Sequence, residues 1–353
     1  MLIDRVERYY AVGGMFSDSR APKVRAVDGV SFQLNAGETF GLVGESGSGK
    51  STTARLILRL EVPNAGRVSY LGTDIHKLTG SELRQYRQSV QAVFQDPWSS
   101  LNPRMRVGGI VSEPLEILGG LDARARADRL ERALDAVGLD SSLARSYPHE
   151  FSGGMRQRVA VARALVTSPR LIVLDEPVSA LDVSIRAQIM NLLDDLQTEH
   201  GMAYLLIAHD LATVRHLCDQ VAAMYLGQIV EMGPANAVLG KPKHPYTVAL
   251  VSASTATKAV DRQSRIILKG DLPSPIHPPE GCRFNTRCWL YDTMGRPEIC
   301  RSESPVLEPV AQGQFSACHF SDVVARSQPV DIASSANRDA GTARDGGTSE
   351  DID

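Results

Sequence analysis

The stretch Gly44-Glu45-Ser46-Gly47-Ser48-Gly49-Lys50-Ser51 constrains this chain most, because it fits the P-loop pattern G-x-x-x-x-G-K-[ST] at every defined position. Glycines let the backbone turn tightly around a polyphosphate with its N–H groups pointing inward. Lys50 can reach the outer phosphates, and the Ser51 hydroxyl can ligate Mg²⁺. Residues 39–43 predict a short buried strand before the loop, and residues 51–60 predict a helix after it. A helix N-terminus would then face the phosphates, which predicts a nucleotide site.

Composition bounds the class of protein. With 353 residues, 43% hydrophobic and 22% charged, the chain is typical of globular proteins with more than one folded unit. A formal charge of -3 gives no basic excess, so nucleic acid is not an expected partner. No apolar run approaches the ~18 residues that span a bilayer, and residues 1–8 lack the apolar core of a signal peptide. We therefore expect a reducing, cytosolic location.

Two polar side chains have both a functional and an ordinary interpretation. Residues 1–43 predict strands, and Tyr10 among them can stack on an adenine ring or simply pack against the sheet. The buried strand predicted at 90–94 ends at Gln95. In a P-loop domain a glutamine there can reach the metal or the attacking water, whereas a lone glutamine is more often a solvated loop residue.

Two later strands deliver charged groups at their carboxyl ends, where ligands of open α/β sheets bind. The apolar run 171–174 ends at Asp175 and Glu176, of which the first suits Mg²⁺ and the second can polarise a water. A strand at 204–208 ends at His209, which can contact a γ-phosphate. Capping of a following helix is the alternative for all three side chains.

The remaining segments supply helices and turns. Residues 96–150 predict a helical insertion, with Leu130, Leu134 and Val137 on one helix face. Ser152 is the predicted N-cap of a helix over 155–165, and the two glycines after it leave backbone N–H groups bare for an anion. Taken alone, Ser-Gly-Gly is a flexible turn. Segments 221–225 and 229–232 predict an edge hairpin.

Six motifs now stand in one order, at residues 44–51, 95, 151–158, 171–176, 179–182 and 209. In this order they resemble the Walker A loop, Q-loop, signature, Walker B, D-loop and switch histidine of the ATP-binding subunit of ABC transporters. The resemblance assigns nucleotide binding to Tyr10, Gly44, Glu45, Ser46, Gly47, Ser48, Gly49, Lys50, Ser51 and Thr52. It assigns catalysis to Glu176, His209 and Gln95, and Mg²⁺ binding to Ser51, Gln95 and Asp175. The signature that acts in trans is assigned to Ser152, Gly153, Gly154 and Met155, and the D-loop to Ser179 and Asp182.

The resemblance implies an α/β P-loop NTPase fold of ABC type, with a RecA-like core, an antiparallel β subdomain and a helical subdomain, plus a small C-terminal extension. The expected boundaries are 1–235 for the nucleotide-binding domain, with a helical subdomain at about 96–155, and 236–320 for the extension. Residues 321–353 contain no aromatic side chain and much Ala, Gly, Ser and Asp, so a disordered tail is expected.

Segments 93–97, 100–103, 175–184, 244–247 and 281–284 narrow the resemblance to the oligopeptide/dipeptide importer ATPases. Residues 177–180 favour the second of the two ATPase subunits of such importers. Met155 stands where that signature commonly has Gln, and its backbone N–H can still serve a phosphate. The implied function is hydrolysis of ATP, with Mg²⁺, to energise peptide import.

The implied partners are two transmembrane permease subunits, a sister ATPase in a head-to-tail heterodimer and, indirectly, an extracytoplasmic solute-binding protein. Residues 96–150 are where the family docks its membrane partner, which places the chain peripherally on the cytoplasmic face of the inner membrane. The alternative is an ABC ATPase that acts on nucleic acid or ribosomes without a transporter. Such proteins usually fuse two cassettes, whereas one stands alone here.

Four of the five cysteines, Cys282, Cys288, Cys300 and Cys318, cluster in a Pro-rich segment. Cytosolic chains seldom keep disulfides, so a metal site is favoured over unligated or disulfide-bonded cysteines. Zinc usually needs Cys-x₂₋₄-Cys pairs, which are missing, while a [4Fe–4S] cluster takes one thiolate at each corner. The extension of the resembled importers is compatible with such a cluster. Cys218 is expected to be a small buried hydrophobe.

Overall fold

The computed structural model describes residues 1–12, 22–95, 100–255, 266, 268 and 270–326. Its strands are β1 Leu2–Ala11, β2 Lys23–Gln33, β3 Thr39–Val43, β4 Ala65–Tyr70, β5 Thr73–Asp74, β6 Val90–Val93, β7 Leu171–Asp175, β8 Ala203–Ala208, β9 Gln220–Tyr225, β10 Gln228–Pro234, β11 Glu308–Ala311 and β12 Gln314–Ser316. Its α-helices are α1 Lys50–Ile57, α2 Gly80–Ser89, α3 Val107–Leu118, α4 Ala123–Ala136, α5 Gly153–Leu165, α6 Val183–His200, α7 Leu211–Leu217, α8 Ala235–Gly240, α9 Pro245–Thr255, α10 Trp289–Thr293, α11 Ile299–Ser302 and α12 Ser321–Arg326.

The strands form two sheets. One is antiparallel, in the order β2-β1-β4-β5, and the other has the order β11-β12-β10-β9-β3-β8-β7-β6. In the larger sheet β9, β3, β8, β7 and β6 run parallel, which brings their carboxyl ends to one edge. The order of strands is that of an α/β core with a separate antiparallel layer, as predicted.

Alternation of side chains explains why the parallel strands are apolar throughout. Leu42 and Val173 face the core shared with α1 and the antiparallel sheet, whereas Val43 and Leu174 face the core shared with α5 and α6. Each strand residue is therefore buried on one face or the other, as in parallel sheets covered on both sides. This packing fixes β3 and β7, and with them the segments that follow each strand.

The predicted helical insertion is present as α3 and α4, which contact α5. The Asp122 side chain caps α4 by accepting a hydrogen bond from the Ala125 N–H at 2.8 Å. Leu134 and Val137 are fully buried, in agreement with the predicted helix face. Residues 96–99 of the insertion lie outside the described residues. Within the described residues, every helix is too short or too polar to span a bilayer.

Two predictions about the ends of the fold need correction. The hairpin formed by β9 and β10 is not at an edge, because β12 of the extension pairs with β10 and β11 follows outside it. The segment expected to be a disordered tail begins with α12, in which Val324 is fully buried. Both follow from contacts with distant segments, which local composition does not reveal. The rest of the predicted tail, residues 327–353, lies outside the described residues.

Candidate nucleotide-binding site

The P-loop joins β3 to α1, as the sequence predicted. Gly44 and Gly49 have φ of 148° and 110°, a region that L side chains rarely adopt. A Cβ on either residue would also lie 2.3 Å from a backbone oxygen, that of Met224 for Gly44 and that of Ala26 for Gly49. Glycine is therefore required at both positions, for the backbone turn and for the close approach of a neighbouring backbone.

Lys50 begins α1, and its side chain folds back over the loop. The ammonium group donates hydrogen bonds to the carbonyl oxygens of Gly44 at 2.8 Å and Glu45 at 2.9 Å. Burial lowers the pKa of Lys50, against the opposing effect of Glu176, Asp175 and Glu45. The charge is thus held inside the loop, where phosphate oxygens can replace the two carbonyls as acceptors.

Asp175 ends β7 beside the start of α1. Its Oδ1 atom lies 3.5 Å from the Ser51 hydroxyl, the two side chains that the sequence assigned to Mg²⁺. Burial and the neighbouring Glu176 raise the pKa of Asp175, which indicates a concentration of negative charge at this edge. Hard oxygen donors next to a phosphate loop fit Mg²⁺, whose positive charge would relieve this repulsion.

Three predicted catalytic side chains meet at one oxygen atom. The Gln95 amide nitrogen donates to Oε2 of Glu176 at 2.9 Å, and Nδ1 of His209 lies 3.1 Å from the same oxygen. Glu176 has φ of 49°, a left-handed conformation that is strained for a side chain of this size. The strained backbone and the two partners aim this carboxylate at the carboxyl edge of the sheet.

Tyr10 lies in β1, half-buried, with the Arg8 guanidinium 4.7 Å from its ring centre. Its neighbour Tyr9 donates a hydrogen bond to Asp28 and is thereby fixed to β2. Among the described residues, Tyr10 has no corresponding hydrogen bond to Asp28. Its assignment to adenine stacking remains a prediction.

The signature residues lie at the start of α5, on a different element from the P-loop. The Ser152 hydroxyl caps this helix by accepting from the Met155 N–H at 3.3 Å. A Cβ on Gly154 would lie 2.6 Å from Cγ2 of Ile185, so this glycine permits close packing of α5 on α6. Gly153 is exposed, and Met155 is half-buried. These contacts stay within α5 and α6 and do not bring the signature to Lys50.

The predicted D-loop residues hold the connection between β7 and α6. The Ser179 hydroxyl donates to the Glu176 carbonyl at 3.0 Å. The Asp182 carboxylate caps α6 by accepting from the Ile185 N–H at 2.9 Å. Ser179 therefore supports the strained Glu176, while Asp182 fixes the start of the helix that the signature packs against.

Sequence reasoning missed the residues of the extension that reach the P-loop. Glu45 forms an ion pair with Arg287, and its N–H donates to the Tyr246 hydroxyl. Arg283, in the same segment as Arg287, forms an ion pair with Asp28 of β2. These residues lie within or beside segments 244–247 and 281–284, which carried the family resemblance but no assigned role. Nothing in the local pattern indicates their target.

The four predicted metal-binding cysteines line one small cavity of about 20 Å³, with apolar neighbours. Burial raises the pKa of Cys282 to about 11 and the pKa of both Cys288 and Cys318 to about 12. Among the described residues, however, no group of three or more His, Cys, Asp or Glu side chains is arranged to hold a metal ion. All five cysteines are free thiols, and Cys218 follows α7 against the main core.

Comparisons with known proteins agree along the chain. Residues 27–179 match the family described as ABC transporter, and residues 230–294 match the C-terminal region of oligopeptide/dipeptide transporters. The chain is 48% identical over 317 residues to a probable peptide ABC transporter ATP-binding protein of Sinorhizobium fredii, y4tS, covering 90% of this chain and 88% of that protein. It is 46% identical over 319 residues to the oligopeptide transport ATP-binding protein AppF of Bacillus subtilis, covering 89% and 95%.

A solved structure gives the same result for the fold. The chain is similar to a dimeric ATP-binding cassette in a post-hydrolysis state, bound to ADP and Pi, with a TM-score of 0.58 and 29% identity. The match covers 66% of this chain and 98% of that one.

Proposed function

The chain belongs to the ATP-binding subunits of ABC transporters, and we propose that it is the ATP-hydrolysing subunit of an importer for peptides of the dipeptide and oligopeptide class. The peptide class is supported by the matched C-terminal region and by the relatives. The observation that carries the hydrolytic role is the convergence of four separate segments on one edge of the sheet. At this edge the site has a phosphate-binding cation in Lys50 and an oxygen donor in Asp175. It also has a carboxylate, that of Glu176, which Gln95 and His209 hold in position.

Glu176 is the general base in this proposal. It would accept the proton of the water that attacks the γ-phosphate, and Gln95 and His209 hold the carboxylate through its Oε2 atom. The His209 side chain is 60% exposed, so its imidazole is free to contact the terminal phosphate when nucleotide binds. Lys50 and the backbone of the P-loop would hold the phosphates, and Tyr10 would stack on the adenine.

Ser51, Asp175 and Gln95 are the side chains that would hold Mg²⁺. When bound, the ion offsets the negative charge of the phosphates and of the carboxylates at this edge. The oxygen donors of Ser51 and Asp175 lie close enough to share one ligand sphere, which supports the assignment.

The signature acts on a second subunit. Ser152, Gly153 and Gly154 present backbone N–H groups at the N-terminus of α5, where they would stabilise phosphate charge in the site of a partner. Two ATPase subunits would thus close head to tail, and the residues Ser179 and Asp182 would line the junction. We propose a sister ATPase as the partner, in a heterodimer.

The membrane side of the assembly follows from the family. Two permease subunits would contact α3 and α4, the helices of the insertion, which pack on α5. A solute-binding protein on the other side of the membrane would deliver the peptide. The chain would then lie peripherally on the cytoplasmic face of the inner membrane.

Cys282, Cys288, Cys300 and Cys318 are proposed to hold a [4Fe–4S] cluster, with zinc as the second candidate. Four thiols line one cavity, and thiolates are ligands of either metal, so the proposal rests on the chemistry of these donors and not on an arrangement already formed among the described residues. Anaerobic purification should give brown protein with iron and sulfide near four per chain. Cys288→Ser should lower the iron content, while Cys218→Ser is the matched control. Colourless protein free of iron and zinc would contradict both candidates.

Affinity purification of the chain from membranes tests the transport function. Two membrane proteins and a second ATPase should co-purify, and deletion of the gene should abolish uptake of a peptide. The alternative function would instead give ribosomes or DNA in the purified material. Uptake that is unchanged in the deletion strain, for dipeptides and for longer peptides, would contradict the proposed substrate class.

A further inference from the structure

The extension reaches the P-loop through a charged pair. Both terminal nitrogens of the Arg287 guanidinium contact the Glu45 carboxylate, at 2.8 and 3.2 Å. The Arg287 side chain is only 8% exposed and that of Glu45 is 29% exposed. Two parallel hydrogen bonds between a guanidinium and a carboxylate fix direction as well as distance. This pair joins positions 242 residues apart in the chain.

The backbone of the same loop residue is also held by the extension. The Glu45 N–H donates to the Tyr246 hydroxyl at 2.8 Å, and Tyr246 is fully buried against Tyr225, with ring centres 4.8 Å apart. The extension therefore constrains the start of the P-loop both at the backbone and at the side chain of Glu45.

The sign of the charge gives the pair a role in nucleotide binding. Glu45 places a carboxylate on the loop that must accept a polyphosphate, and its charge is one of those that raise the pKa of Lys50 against burial. Without a partner, that carboxylate would repel the phosphates and draw the Lys50 ammonium away from them. Arg287 offsets the charge at the point where it is exposed to the ligand.

We propose that Arg287 is a positioning residue for ATP, which neutralises Glu45 and holds the P-loop in the shape that binds the phosphates. The inference rests on the proposed ATPase function. It also assigns the extension a role at the nucleotide site of its own subunit. The residues that carry out hydrolysis are not touched by this pair, so the effect should appear in affinity for ATP and not in turnover.

The test measures ATP binding and turnover separately. Binding of a fluorescent ATP analogue with Mg²⁺ to the purified chain gives Kd, and ATPase assays on the assembled transporter give KM and kcat. For Arg287→Gln we expect Kd and KM to rise about tenfold, the size of a typical coupling between sites. We expect kcat to stay within about twofold, because Glu176 and its partners are unchanged.

Rescue distinguishes the charge effect from damage to the extension. The double variant Glu45→Gln with Arg287→Gln should bind with a Kd within about threefold of that of Glu45→Gln alone, because no carboxylate remains to be neutralised. A disturbed cysteine cavity would instead give a loss that Glu45→Gln does not repair. Arg296→Gln is the matched control, since Arg296 pairs with Asp292 in the extension at the surface.

The outcomes separate this inference from the function on which it rests. Wild-type protein that binds no ATP analogue would overturn the ATPase function. ATP binding by wild type with an unchanged Kd for Arg287→Gln would overturn only the role of Arg287. A double variant that binds about tenfold more weakly than Glu45→Gln alone would do so too. A fall in kcat with constant KM would do the same.

Discussion

At the scale of single residues, the candidate site depends on two adjacent carboxylates that have different surroundings. Asp175 is buried next to Glu176, and this raises the pKa of Asp175. Glu176 is held in a left-handed backbone conformation and contacts Gln95 and His209. Adjacent residues of a strand point to opposite faces, so two carboxylates can serve one ligand only where the strand ends. The strained φ of Glu176 is how the chain achieves this.

Glu176→Gln tests the assignment of the general base. The amide keeps the size of the side chain but cannot accept a proton, so we expect ATP to bind and hydrolysis to slow by about 10²–10⁴-fold in the assembled complex. Equilibrium ATP binding and steady-state turnover are the two measurements. Glu199→Gln, at an exposed position near the end of α6, is the matched control. Turnover of the Glu176 variant within about threefold of wild type would contradict the role.

At the scale of elements, local sequence predicted the pieces that local physics determines. A window of about ten residues is enough to recognise the glycines of the P-loop, the apolar run of β7 and the Ser152 cap. The pairing of β10 with β12 could not be predicted, because it joins segments about eighty residues apart that have no common pattern. The Arg287–Glu45 contact was missed for the same reason.

The junction between these strands contains a buried acid. Glu231 of β10 is fully buried and accepts hydrogen bonds from the backbone N–H groups of Lys243 and His244, and from the Gln314 amide. Burial outweighs these bonds and raises the pKa of Glu231 to about 7. One side chain thus joins β10, the segment before α9 and β12. The attachment of the extension to the core should depend on its protonation.

The pH dependence of stability tests this junction. Between about pH 4.5 and 7 the folded protein keeps a proton on Glu231 that the unfolded chain releases, so the contribution of Glu231 falls as pH rises. We expect the free energy of unfolding of wild type minus that of Glu231→Gln to decrease by up to about 1.4 kcal/mol per pH unit in this window. Denaturant unfolding across the pH series measures it. Glu308→Gln, exposed on β11, is the control, and a pH-independent difference for Glu231→Gln would contradict the shift.

At the scale of the whole molecule, the P-loop and the predicted signature begin different helices of one chain. Lys50, Asp175 and Glu176 meet at the carboxyl edge of the sheet, while Ser152 caps α5 and Gly154 permits the close packing of α5 on α6. The extension, by contrast, reaches its own P-loop through Glu45. In the proposed function, one chain thus supplies the phosphate-binding loop and the base, together with the residues that support them, while its signature serves a partner.

Because the proposed function directs the signature to another subunit, we expect the isolated chain to be a poor ATPase. Turnover per chain should rise with protein concentration, since each active site would form only when two chains meet and donors from one stabilise phosphate charge in the other. Addition of the sister ATPase should raise turnover further. In that mixture, Ser152→Ala in this chain should lower hydrolysis in the partner's site, while this chain still binds ATP. ATPase assays over a concentration series, combined with sedimentation to follow dimer formation, make the measurement. Full turnover by a monomer, independent of concentration, would show that one chain completes its own site and would rule out the head-to-tail arrangement.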